Sequence, residues 1–195
     1  MKAIVQKAYG PIDDLRLVER DAPNPGQMGV LVRVRAAGVD PGIWHTMTGR
    51  PFMVRAMGLG FSGPKAPVAG WDAAGVVEAV GAGVTRFKPG DEVFGNSDVG
   101  GTGTFAEYAC LPESHCASKP VNLTFEEAAA LPVSGCTALQ AVRNVGRVPG
   151  GNEGADPGRG RRRRPSRPPD RQGRRRRGDR GVQHLEGRIR SLARC

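Results

Sequence analysis

A chain of 195 residues with 29 Lys+Arg against 19 Asp+Glu carries a net charge of +10. The excess is confined to one end: residues 1–152 hold 14 charges of each sign, whereas residues 153–195 hold 15 Arg, no Lys and 5 Asp+Glu. No apolar run is long enough to span a membrane, none of Cys110, Cys116, Cys136 and Cys195 forms a C-x-x-C pair, and the first strand follows Met1 directly, with no signal-peptide pattern. The expectation is one domain, or one domain plus a fragment, with reduced thiols, a cytoplasmic location and no membrane partner.

In chain order, residues 2–7 and 15–19 read as short strands around the turn-prone Gly10-Pro11-Ile12-Asp13-Asp14. Val30, Val32 and Val34 alternate with Leu31, Arg33 and Arg35, the period of a strand with one buried face. Asp40-Pro41-Gly42-Ile43-Trp44-His45 reads as a helical turn with Asp40 as N-cap and Pro41 in the first turn. Gly49 to Pro67 reads as a long irregular loop, in which Phe52, Met53, Met57 and Phe61 either line an apolar pocket or pack the loop itself. Ala73 to Val80 is a buried strand. Gly81, Gly83, Pro89 and Gly90 mark turns, and Asp91 to Phe94 restarts a strand. After a glycine-rich loop from Gly95 to Gly103, strands are expected at Thr104 to Cys110 and His115 to Ala117. Thr124 and Glu127 have capping-box spacing at the start of a helix. Pro132 interrupts that helix, and a second runs from Ser134 to about Asn144, ended by Gly146.

The wording of several segments goes beyond pattern. Gly70-Trp71-Asp72-Ala73-Ala74-Gly75-Val76-Val77, Phe87-Lys88-Pro89-Gly90-Asp91-Glu92-Val93-Phe94-Gly95 and Gly103-Thr104-Phe105-Ala106-Glu107-Tyr108 occur in this order. Ala128-Ala129-Ala130-Leu131-Pro132 and Gly135-Cys136-Thr137-Ala138-Leu139 follow them. Together they resemble the N-terminal GroES-like part of the medium-chain dehydrogenase/reductase superfamily, in its zinc-free, quinone oxidoreductase-like branch, over roughly residues 1–148. The resemblance implies a mainly β fold: a GroES-like barrel over residues 1–123 and a helical connection over 124–148. In full-length relatives an α/β Rossmann domain follows. It also implies hydride transfer from NADPH, with NADH as the alternative, to a small-molecule quinone or enone. Relatives of this kind are often homodimers.

The zinc-dependent branch places a cysteine where Asp40 stands and a histidine and glutamate where Trp71 and Asp72 stand. Its four-cysteine lobe is replaced by Gly95-Asn96-Ser97-Asp98-Val99-Gly100. Without thiolates or imidazoles at those places no zinc site is expected; His45 and His115 are isolated. By resemblance, Asp40 stands where the branch has asparagine near the nicotinamide. Trp44 stands at an aromatic position by the cleft, and Thr137 matches the threonine of a Gly-x-Thr-Ala segment. A cap, a core aromatic and a helix hydroxyl are the structural alternatives for these three.

Residues 149–195 do not read as a nucleotide-binding domain. That domain needs a strand, a glycine-rich turn and a helix N-terminus, but the segment holds Arg161–Arg164 and Arg174–Arg177 with almost no apolar periodicity and reads as a disordered tail. Out-of-frame translation accounts for it. Reading each codon from the last two bases of one residue and the first of the next, Glu153/Gly154 gives only Lys or Arg. The next three junctions allow Val, Leu and Ile, which spells a first strand. Arg161–Arg164 becomes Gly, Ala, Val or Asp where the glycine-rich turn belongs. The chain as written is then expected to be inactive. At face value the tract instead implies non-specific nucleic-acid binding, without interleaved aromatics to stack bases. A third reading is an isolated barrel without activity.

Overall fold

A computed structural model describes residues 1–98 and 101–145. The arginine-rich tract, the frame reading and the helix stop at Gly146 lie outside the described residues. The strands are β1 (Lys2–Val5), β2 (Arg16–Glu19), β3 (Gly29–Gly38), β4 (Asp72–Val80), β5 (Glu92–Asn96), β6 (Tyr108–Pro112) and β7 (Cys116–Ser118). The helices are α1 (Gly42–Thr48), α2 (Phe125–Ala129) and α3 (Pro132–Gln140). The fold is mainly β, as the sequence implies. The strands pair as a five-stranded antiparallel sheet in the order β6-β3-β4-β5-β7 and a separate β1–β2 ribbon. Isolated bridges, Ala3 with Ala106 and Val5 with Val68, tie the ribbon to the loops beside the sheet.

β3 pairs with both β4 and β6, and this changes its burial from the expected alternation. Val30, Leu31 and Val32 are all buried, and only from Arg33 onward does an exposed face appear. Two register shifts, between Leu31 and Val32 and between Val34 and Ala36, mark bulges where the strand bends. The main core joins Val30, Val32, Val77, Phe87, Val93 and Leu111; each such side chain stabilises the fold by about 1.5–3 kcal/mol. Buried Glu113 locks the turn beside it. Its Oε1 accepts from the Thr85 and Arg86 N–H groups at 2.8 and 2.6 Å, while the Arg86 guanidinium donates to the Glu113 and Cys116 carbonyls.

The strand expected from Thr104 begins four residues late, at Tyr108. Thr104 and Phe105 donate their N–H groups to the Ala69 carbonyl, while Glu107 bonds across to Lys2, so this segment serves the ribbon rather than the sheet. The stretch from Gly49 to Pro67 is not wholly irregular: Arg55–Leu59 forms a π-helical turn. α1 starts one residue later than expected, with Pro41 at the cap position, yet Asp40 Oδ1 still accepts the Gly42 N–H at 2.7 Å.

α2 opens on the expected capping box. Glu127 N–H donates to Thr124 Oγ1 and Thr124 N–H to Glu127 Oε2. Pro132 does not interrupt a helix; it starts α3 at a position where its missing N–H costs nothing. Both helices pack on the sheet through small residues, Ala74, Ala117, Ala128 and Ala129, around Phe94. A Cβ on Gly38 would collide with the Ala129 carbonyl, so glycine there lets the end of α2 rest on the end of β3. Phe125, Leu131 and Leu139 stay half-buried.

Candidate functional site

The end of β3 and the start of β4 lie at one corner of the sheet, where Ser134 of α3 bonds to Asp40 in the loop before α1. A cleft of about 770 Å³ opens there, lined by Tyr9, Asp40, Ile43, Trp44, Met47 and Arg55 among others. α1 turns Ile43 and Met47 into the protein and leaves Trp44 about half exposed, its ring edge-on to His45 with centroids 5.1 Å apart. Arg55 lies over the Tyr9 ring, its guanidinium carbon 4.4 Å from the centroid, and its Nε donates to the Gly49 carbonyl at 3.0 Å. Tyr9 in turn donates its hydroxyl to the Gly60 carbonyl; burial raises its pKa and the nearby Arg55 charge opposes that shift. The walls are thus apolar and aromatic with a few fixed polar groups, the build of a site for a flat organic ring.

Asp40 and Trp44 line the same cleft. Thr137 does not line it; its side chain is exposed on α3 and donates back to the Val133 carbonyl at 2.8 Å. Of the apolar residues singled out in the loop, Phe52, Met53 and Phe61 are exposed and outside the cleft lining. Phe52 and Phe61 pack on each other with centroids 6.0 Å apart. That is loop packing, not a wall of this cleft; the Met57 side chain lies outside what the structure describes.

Two residues enter the site that sequence reasoning gave no role. Ser134, on the first turn of α3, donates its hydroxyl to Asp40 Oδ2 at 2.6 Å and fastens α3 to the loop before α1. Asp72, 1 % exposed at the head of β4, accepts the Val133 N–H through Oδ2 at 3.3 Å, while its Oδ1 is without a hydrogen-bond partner. Burial pushes the Asp72 carboxyl up to about 7, the Val133 N–H works against this, and the Asp40 charge adds to it. The only signal for Asp72 in the sequence is a charged residue at the head of an apolar strand.

The residues where zinc-dependent relatives hold metal do not fit zinc. Of the residues that stand there, Trp71 offers no ligand and Asp40 and Asp72 supply two carboxylates, short of the three protein ligands a catalytic zinc needs. Among the described residues no group of three or more His, Cys, Asp or Glu is placed to hold a metal ion. Every strand pairing among the described residues is antiparallel, so they contain no βαβ unit to cradle a pyrophosphate. Among the described residues no helix is long and apolar enough to cross a membrane.

A mainly antiparallel domain with an apolar cleft at the end of its sheet defines the class, and residues 26–121 match the alcohol dehydrogenase GroES-like domain. The chain belongs to that family, within the medium-chain dehydrogenase superfamily, and its relatives include quinone oxidoreductases. It is 36% identical over 147 residues to a chloroplast envelope quinone oxidoreductase homolog of Arabidopsis thaliana, covering 74% of this chain and 42% of that protein. It is 36% identical over 153 residues to a 2-methylene-furan-3-one reductase of Solanum lycopersicum, covering 75% and 38%. The Escherichia coli quinone oxidoreductase solved with NADPH superposes with a TM-score of 0.63 at 25% identity, covering 74% and 41%. The chain thus spans about two fifths of the length of these relatives.

Proposed function

We propose that residues 1–145 form the acceptor side of an NAD(P)H-dependent, zinc-independent oxidoreductase acting on a quinone or enone. The observation that carries this is the cleft itself: apolar and aromatic walls that include Ile43, Trp44 and Met47, with Asp40 and Arg55 among the polar groups of the lining. A flat, electron-poor ring fits such walls, and the cofactor supplies the hydride when bound. Kinship with a quinone oxidoreductase, an enone-type furanone reductase and an NADPH-bound structure supports the same reading. We propose further that residues 149–195 as written supply no nucleotide pocket, so the chain accepts a quinone but holds NADPH weakly and turns over little, and that it resides in the cytoplasm.

The test is a pair of titrations on the full chain, duroquinone followed by tryptophan fluorescence and NADPH followed by its own. Saturable quinone binding with no tight NADPH binding is expected, unchanged by a chelator. Tight NADPH binding would contradict the account of residues 149–195, and quinone binding abolished by a chelator would contradict zinc independence. The 15 Arg of residues 153–195 favour one second activity, salt-sensitive, sequence-independent RNA binding. Filter binding at low and moderate salt tests it; affinity that ignores salt would rule it out.

A further inference from the structure

We propose that Asp72 stores a proton for this site and that Asp40 hands it to a reduced acceptor in the cleft. The inference rests on the reading of the cleft as a quinone or enone site. Its ground is a buried carboxyl that the fold leaves half used. Asp72 Oδ2 takes the single long bond from Val133, and Oδ1 takes none. None of the ion pairs among the described residues involves Asp72. A carboxylate held only for architecture would be met by a cation or by several donors, because an unpaired charge out of water is costly.

Asp72 lines an inner cavity of about 90 Å³ with Gly38, Val39, Asp40, Ala130 and Ser134. Val39 and Asp40 also line the outer cleft. Asp40 is thus the polar member of the wall between the two spaces. The inner space is roomy enough for water, which with two carboxyls and a hydroxyl around it has the polar partners it needs to bridge them.

The surroundings favour a shared proton. At this end of the sheet β3 pairs Gly38 with Asp72, β5 pairs Asn96 with it, and α3 presents Val133 and Ser134. Among the described residues the charged group acting on Asp72 is Asp40, and like charges close together favour protonation of the buried one. Burial and the Asp40 charge both act in that direction on Asp72.

The balance is simple. An acceptor that has taken hydride from a dihydronicotinamide, the reductant of the proposed reaction, carries two more electrons and one more hydrogen, and its oxygen is an anion. Asp72 gives its proton to the Asp40 carboxylate, its own O–H bond breaking as the Asp40 O–H bond forms; that bond then breaks as the acceptor oxygen forms its O–H bond, and Asp72 regains a proton from solvent. One quinone, one hydride and one proton give one hydroquinone.

Infrared difference spectroscopy of the full chain, with and without duroquinone, tests this, with tryptophan quenching as the measure of occupancy. The expected result near neutral pH is the carbonyl stretch of a protonated carboxylic acid, lost in Asp72→Asn, and shifted when duroquinone binds. In Asp40→Asn the acid signal persists but its response to duroquinone is lost. A carboxyl buried only for packing would not answer to the ligand. Absence of an acid signal, or a signal indifferent to bound duroquinone, overturns the relay and leaves the cleft reading intact. Failure of duroquinone to quench overturns both. Should Asp72→Asn not fold, the Asp40→Asn comparison decides alone.

Discussion

Replacing Asp72 by Asn alters how stability depends on pH, and the structure sets both sign and size. The carboxyl lies at about 7 in the folded chain against an ordinary value of 3.8. The folded state therefore binds more protons than the unfolded chain between these values, so stability falls as pH rises through that window. Above it the full cost is present. Three units at 1.36 kcal/mol each give about 4 kcal/mol, an upper bound because Asp40 shares the titration. Between about pH 5 and about pH 8 roughly 3 kcal/mol of this develops. Asn can still accept the Val133 N–H and carries no charge to desolvate. Urea unfolding at the two pH values should show the wild type losing roughly 3 kcal/mol and Asp72→Asn losing far less. Parallel losses in the two proteins would refute the burial argument and leave Oδ1 without its assigned meaning.

Other positions make independent predictions. Glu113→Ala strands the Thr85 and Arg86 N–H groups, so urea unfolding should show a loss of about 2–3 kcal/mol; a loss within error of zero contradicts the lock. Thr124→Ala removes one half of the capping box and should cost about 1 kcal/mol, with Glu127→Ala similar and the double variant less than additive. Burial pushes the Cys116 thiol up to about 12, so it should resist alkylation in the folded chain at mildly alkaline pH and react only on unfolding. Rapid native labelling at that position, read by peptide mass, contradicts the packing of β7.

The sequence carried local rules well and long-range meetings poorly. The Thr124–Glu127 box is legible because both of its bonds close within four residues. The start and end of β4 are legible because Gly70 and Gly81 bracket an apolar run. β3 was misread as half-exposed because its burial depends on β6, supplied by residues far along the chain. Tyr108 opens β6 later than alternation implies, since the residues before it are spent on the ribbon. At the cleft, Asp40 and Trp44 are legible together because they lie four residues apart, in the loop before α1 and in its first turn. Ser134 and Asp72 are not, because their bonds join residues 94 and 61 positions apart. Thr137, picked out by a motif match, lies apart from this cleft and donates its hydroxyl to its own helix.

The central claim is that the space between Asp40 and Trp44 receives a flat, electron-poor ring without help from a metal. The chain has two tryptophans, and Trp71 is outside that cleft lining, so Trp71→Phe leaves Trp44 as the sole indole reporter. Titrating this variant with duroquinone in the presence of a chelator should give saturable quenching that Asp40→Asn perturbs. Quenching that rises linearly without saturation, or that appears only when metal is added, would contradict the claim.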